Sequence, residues 1–139
     1  MAGVSIAEPI AAPAARVRDL IRDFGGISDW LPAAEASEAD GTGVGAIRKL
    51  ALAGGARADE RLEAFDDAAR SYTYTVIDST LPMTGYRATI RVAEAGDEAC
   101  ILHWSSTFQP VGVPDEEMIA QIRGSYMGGV ESLRSRLGG

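Results

Sequence analysis

The sequence has almost none of the residues on which redox and metal chemistry in proteins depends. It contains one cysteine and one histidine in 139 residues. A single thiol cannot form an internal disulfide, and a structural zinc site usually needs four cysteine or histidine ligands. We therefore expect neither a disulfide framework nor a metal site, and no motif indicates a cofactor.

Long apolar stretches are missing as well. No apolar run approaches the roughly 18 residues that a membrane span needs, and the N-terminus lacks the basic and apolar segments of a signal peptide. We expect a cytoplasmic protein without membrane insertion. Lysine occurs only at Lys49 among thirteen basic residues. This preference for arginine, with abundant alanine and glycine, indicates a GC-rich bacterial genome.

Positive charge is in the minority. Thirteen lysines and arginines stand against twenty aspartates and glutamates, so the net charge is −7. An acidic chain repels phosphate groups, which makes nucleic acid and anionic membranes poor partners. The length and the 46% of hydrophobic residues suit one globular domain over residues 1–139. We expect this domain to be a monomer or a homodimer.

Helical periodicity occurs near both ends of the chain. A first helix is predicted after Pro13, with Gly25 and Gly26 at its end, and a short second helix over residues 28–32. A long helix is predicted over residues 114–137, because its apolar residues form one stripe. Gly129 falls within that stripe and is expected to leave space beneath the helix.

Between the helices the hydrophobic pattern changes to period two. It predicts strands over residues 56–65, 71–78, 86–92 and 100–108, and a weaker strand over residues 4–10. Strands that alternate in this way form an antiparallel sheet with one wet face. The sheet and the long helix can each bury an apolar surface against the other, so we expect an α+β fold.

Glu60 is the most informative polar residue, because its neighbours on the same strand face are apolar. A buried carboxylate must pair with a cation or become protonated. A two-residue turn at residues 54–55 would place Lys49 opposite Glu60, and a turn one residue longer would place Arg48 there. Both pairings stay open, as does a role for Glu60 in lining a cavity.

Short motifs along the chain resemble the START-like superfamily, also called SRPBCC or birch-pollen-allergen-like, and most closely its bacterial polyketide cyclase/dehydrase-like branch. The resemblance implies a helix-grip fold, in which a curved antiparallel sheet of about seven strands surrounds a long C-terminal helix, with two short helices after the first strand. The motifs are Ala12-Pro13, Asp29-Trp30-Leu31-Pro32, Glu60-Arg61-Leu62, Leu81-Pro82-Met83 with Tyr86-Arg87, and Trp104-Ser105-Ser106-Thr107-Phe108.

The resemblance also implies a function. A small, mostly apolar molecule, polyketide-like, aromatic or lipid-like, is expected to bind in a cavity between the sheet and the long helix. One alternative is a cyclase/dehydratase-type enzyme with Glu60 as catalytic acid or base, and another is a ligand-gated interaction module. The predicted ligand-binding residues are Trp30, Glu60, Leu62, Tyr72, Tyr74, Met83, Tyr86, Ala88, Trp104, Met118, Ile122 and Tyr126.

Overall fold

The structure is a computed structural model and describes residues 1–138. Within these residues the chain forms seven strands and two α-helices, joined by short connections. In chain order the elements are β1 (Ala2–Ile10), α1 (Ala14–Ile21), a 3₁₀ segment (Phe24–Asp29), β2 (Ala34–Asp40), β3 (Ile47–Leu52), β4 (Arg57–Asp66), β5 (Ser71–Ser79), β6 (Met83–Glu94), β7 (Cys100–Pro110) and α2 (Asp115–Leu137).

The strands form one antiparallel sheet in the order β1-β7-β6-β5-β4-β3-β2. From β2 to β7, strands that follow each other in sequence are also neighbours in the sheet, whereas β1 pairs with β7. Along most strands alternate residues are buried on the inner face, as a period of two requires, whereas β2 is buried only at Ala34 and partly at Ser37. The expected α+β helix-grip fold, with its curved sheet and long C-terminal helix, is confirmed.

The long helix α2 follows Pro114 and has three acidic residues in its first turn, where the helix dipole favours negative charge. It ends at Gly138, whose left-handed backbone (φ 76°) favours glycine. No helix in the described part of the chain is both long and apolar enough to cross a membrane. The buried stripe of α2 comprises Met118, Ile122, Tyr126, Gly129, Val130 and Leu133.

The second short helix differs from the prediction over residues 28–32. It is a 3₁₀ segment over Phe24–Asp29, and it contains Gly25, which the sequence pattern placed at the end of the first helix. A Cβ atom on Gly25 would lie 2.7 Å from the Cβ of Ala39, so the segment can lie directly on β2 only because this residue is glycine. The hydroxyl of Ser37 donates to the carbonyl oxygen of Gly25 at 2.7 Å and holds the two elements together.

A bulge in β4 changes which face its last residues occupy. The pairing register with β5 shifts between Leu62 and Ala64. Ala64, which simple alternation predicts on the inner face, is therefore exposed. Phe65, which alternation predicts on the outer face, pairs directly with Tyr72, and their rings stack with centroids 6.4 Å apart. The two aromatic side chains therefore share one face of the sheet.

The turn between β3 and β4 decides which cation faces Glu60. It contains a three-residue 3₁₀ turn, Ala53–Gly55, which is one residue longer than the two-residue turn considered from the sequence. Arg48 is consequently the partner of Glu60 in the strand register, and Lys49 lies on the opposite face. The structure selects Arg48 from the two pairings that the sequence left open.

Gly129 does not leave an empty space beneath α2. A Cβ atom at this position would lie 3.0 Å from Cζ3 of Trp30, 3.0 Å from Cδ1 of Leu31 and 3.3 Å from Cζ3 of Trp104. The two indole rings, with centroids 5.5 Å apart, occupy the room that the sequence suggested for a cavity. The helix therefore approaches both tryptophans closely because it carries glycine here.

Replacing Gly129 by alanine is expected to lower the free energy of unfolding by about 1 kcal/mol, because overpacking at the two indoles outweighs the gain in helix propensity. Gly124→Ala is the matched control, since an added Cβ at Gly124 meets nothing within 4 Å. This exchange should raise stability by about 0.5–1 kcal/mol. Urea denaturation measures both changes, and a stabilisation of equal size in the two variants would contradict tight packing at Gly129.

Candidate functional site

A buried ion pair between Arg48 and Glu60 lies on the inner face of the sheet. Arg48 on β3 is 0% exposed and Glu60 on β4 is 8% exposed. The Nε of Arg48 donates to Oε1 of Glu60 at 2.8 Å, and Nη1 donates to the carbonyl oxygen of Phe24 at 3.0 Å. These contacts offset the large cost of burying two charges, and they tie the 3₁₀ segment to the sheet.

Aromatic rings enclose the guanidinium of Arg48. Its Cζ lies 4.0 Å from the ring centroid of Phe24 and 4.6 Å from that of Tyr74, within the range of cation–π interactions. Burial acts to lower the pKa of Arg48, but the Glu60 carboxylate and the neighbouring tyrosines outweigh it, and the pKa is raised above its ordinary value. Arg48 therefore stays charged and compensates the charge of Glu60.

Two hydrogen-bonded aromatic pairs lie between the sheet and α2. The Nε1 of Trp104 donates to the hydroxyl of Tyr74 at 3.1 Å, and the hydroxyls of Tyr86 and Tyr126 bond to each other. The rings of Trp104 and Tyr126 stack with centroids 4.0 Å apart, so the two pairs interlock. The polar ends of these rings are satisfied within the protein, as buried polar groups generally are.

All four tyrosines of the chain are buried. Burial raises the pKa of Tyr126 to about 12. It also raises the pKa values of Tyr72, Tyr74 and Tyr86 above the ordinary value, because desolvation disfavours a phenolate. Each tyrosine near the ion pair therefore presents a neutral hydroxyl at physiological pH.

An inner cavity of about 70 Å³ lies beside the ion pair, between the sheet and α2. Ligand pockets usually measure about 300–1,000 Å³, so the space can hold only a small group as it stands. Its polar lining comes from Glu60, Tyr74, Tyr86 and Ser125. The apolar lining includes Leu31, Leu50, Ala58, Leu81, Met83 and Ile122.

The inner cavity brings together five of the twelve predicted ligand-binding residues, namely Glu60, Tyr74, Met83, Tyr86 and Ile122. Two others line separate surface hollows: Leu62 and Tyr72. The remaining five are buried in the core without lining the inner cavity: Trp30, Ala88, Trp104, Met118 and Tyr126. A ligand-binding role for these residues stays a prediction.

Several lining residues were missed by the sequence analysis. Leu50 alternates with Arg48 along the inner face of β3, so the period-two pattern could have found it. Ala58 was expected on the inner face of β4 from that pattern, but not among the ligand-binding residues. Ile27 and Ser125 come from the 3₁₀ segment and α2, and reach the cavity through the docking of those elements. No local sequence signal marks that docking.

Removing one partner of the ion pair should destabilise the protein far more than removing both. Arg48→Met leaves the Glu60 carboxylate buried without its counter-charge, so we expect the free energy of unfolding to fall by about 3–5 kcal/mol. The double variant Arg48→Met, Glu60→Leu buries no charge and should recover most of that loss. Chemical denaturation measures both, and a double variant no more stable than Arg48→Met would contradict the pairing.

The buried tyrosines should make the protein unfold at alkaline pH. Their pKa values are raised in the folded state relative to about 10 in the unfolded chain. The stability that these buried neutral tyrosines contribute is therefore fully present below pH ~10. It is lost as the pH rises toward the Tyr126 pKa of about 12. Tyrosinate absorbance should appear together with the loss of near-ultraviolet circular dichroism. A gradual tyrosinate titration near pH ~10 with unchanged dichroism would contradict this burial.

Comparison with known proteins places the chain in a family. The family model described as polyketide cyclase / dehydrase and lipid transport matches residues 1–138. No curated protein sequence matches the chain significantly. Among solved structures, XoxI from Bacillus cereus is similar, with 36% identity, a TM-score of 0.92 and coverage of 99% of this chain and 96% of that chain.

Two more distant structures show the same fold. The Zhui aromatase/cyclase from Streptomyces sp. R1128 has 19% identity and a TM-score of 0.84, covering 97% of this chain and 92% of that chain. A START superfamily protein from Mycobacterium smegmatis has 13% identity and a TM-score of 0.83, covering 97% of this chain and 96% of that chain. Given the family match over residues 1–138, this chain belongs to the polyketide cyclase / dehydrase and lipid transport family.

Proposed function

We propose that the protein binds a small, mostly apolar molecule between the sheet and α2, at the inner cavity. The observation that carries this proposal is the lining of the cavity. A carboxylate and two phenols converge there on apolar side chains, and a few placed polar groups in an apolar wall are typical of ligand sites.

The polar groups indicate what the ligand should carry. The Arg48 bond occupies Oε1 of Glu60, which leaves Oε2 to accept a hydrogen bond from a ligand hydroxyl. The hydroxyl of Tyr74 accepts from Trp104 and can donate its own proton to a ligand carbonyl. An aromatic or polyketide-like molecule with a phenol or ketone group meets both requirements.

The size of the cavity requires that binding displaces protein side chains. A volume of about 70 Å³ is far below the ~300 Å³ of a small ligand pocket. Leu81 in the connection between β5 and β6 and Met83 at the start of β6 both line the cavity, and the START-like resemblance associates this part of the chain with the cavity entrance. We propose that these two side chains move outward when the ligand enters.

The family and its relatives support this ligand class. The matching family is described by polyketide cyclase, dehydrase and lipid transport, and one structural neighbour is an aromatase/cyclase. A catalytic role of Glu60 as general acid or base is the alternative, for which Glu60→Gln protein that is still folded should lose turnover, with ligand binding weakened by no more than the loss of the one hydrogen bond to Oε2. The ligand-gated interaction module, the bacterial cytoplasmic location, the single-domain organisation and the monomeric or homodimeric state stay predictions.

Isothermal titration with phenol and 1-naphthol, a one-ring and a two-ring probe, tests the proposal. We expect the wild-type protein to bind at least one probe with a Kd below about 1 mM. Ala58→Val adds two methyl groups to the cavity wall and should weaken that binding by about tenfold or more, since the added volume competes with the ligand.

Ala64→Val is the matched control, because Ala64 is exposed on the same strand and the variant should bind like the wild type. Thermal unfolding of both variants establishes that they are folded. The proposal is contradicted if the wild type binds neither probe, or if folded Ala58→Val binds as tightly as Ala64→Val.

A further inference from the structure

A second hollow, which we call the outer groove, lies at the surface between the 3₁₀ segment, the connection after β2 and the end of β4. Its volume is about 350 Å³, which falls within the ~300–1,000 Å³ of ordinary ligand pockets. No residue that lines the outer groove also lines the inner cavity. The outer groove is therefore separate from the site of the proposed function.

The Arg48–Glu60 pair lies between the two hollows. Ala46, directly before β3, lines the outer groove and Leu50 on β3 lines the inner cavity, with Arg48 midway between them. Along β4, Leu62 lines the outer groove and Glu60 lines the inner cavity. Because Arg48 is fully buried against the Phe24 ring, a molecule in one hollow does not reach the other.

The walls of the outer groove are apolar and aromatic. Phe24 and Leu62 are buried behind it, whereas Phe65 is 39% exposed at its edge. One side of the Phe65 ring stacks on Tyr72, which fixes the ring in place. An exposed phenylalanine beside an apolar hollow favours stacking of a flat ring, so the geometry suits an aromatic guest.

The rim of the outer groove carries one uncompensated charge, and it is negative. Arg22 is paired, with its Nη2 3.5 Å from Oδ1 of Asp67. Asp23 is exposed, makes no side-chain bond to the start of the 3₁₀ segment, and takes part in no ion pair within residues 1–138. Aromatic faces attract cations, and the net charge of −7 steers cations toward the protein.

We propose that the outer groove is a second binding site, which takes a small aromatic molecule bearing an ammonium group. Its ring lies against Phe65 and Phe24, and its ammonium group pairs with the carboxylate of Asp23. The site takes a different chemical class from the uncharged, oxygen-bearing guest of the inner cavity, and it binds independently of that guest.

Three indoles of similar size separate the contributions of ring and charge: tryptamine is a cation at neutral pH, tryptophol is neutral and indole-3-propionate is an anion. Titrations followed by NMR at low salt should give affinities in that order. We expect tryptamine to bind about three- to fivefold more tightly than tryptophol, because a single solvent-exposed ion pair strengthens binding by about that factor. Equal or tighter binding of indole-3-propionate, or no binding of tryptamine, would overturn the proposal.

Two variants locate the site. Asp23→Asn should remove the preference for tryptamine over tryptophol and leave tryptophol binding unchanged, while Phe65→Ala should weaken both probes. Glu98→Gln, which removes one exposed charge from the connection between β6 and β7, is the matched control and should keep the preference. A preference that survives Asp23→Asn, or that Glu98→Gln removes equally, overturns the assignment of the ammonium group to Asp23.

Discussion

The ion pair between Arg48 and Glu60 is the interaction on which the arrangement of the interior depends. Each buried ion costs several kcal/mol, so neither charge is stable on the inner face alone. Arg48 also donates to the carbonyl oxygen of Phe24 and lies against its ring, so one guanidinium holds both the carboxylate and the 3₁₀ segment. The pair thereby keeps a carboxylate at the wall of the inner cavity and closes that cavity toward the outer groove.

An aromatic layer beneath α2, formed by Trp30, Trp104 and Tyr126, explains why the inner cavity is small. Trp30 and Trp104 fill the space beneath Gly129, and Trp104 stacks on Tyr126, so α2 rests on rings rather than over an open chamber. The room left beside Glu60 is bounded by the connection between β5 and β6. In a hydrogen bond of 2.9 Å, the backbone N–H of Val111, in the connection before α2, donates to the carbonyl oxygen of Pro82, in the connection between β5 and β6. The proposed movement of Leu81 and Met83 does not require Trp30, Trp104 or Tyr126 to move, since none of these three residues lines the inner cavity.

The sequence predicted the fold and the inner faces of most strands, because period-two alternation reports directly which side chains are buried. Glu60, Tyr74 and Tyr86 were correctly expected on the inner face for that reason. Alternation failed at Phe65, where a bulge reversed the face, and it could not choose between Arg48 and Lys49, which depended on one residue in a turn. The docking of Gly25 on β2 had no local signal, since it depends on contact between distant segments.

The most direct test of the account is a crystal structure of the protein with 1-naphthol bound. The account predicts that the ring lies between Met83 and Ile122, with its hydroxyl at a hydrogen-bond distance of about 2.7 Å from Oε2 of Glu60. The Arg48–Glu60 pair should be unbroken in that complex. A ring bound away from Glu60, or a ligand that replaces Arg48 as the partner of Glu60, would contradict the account.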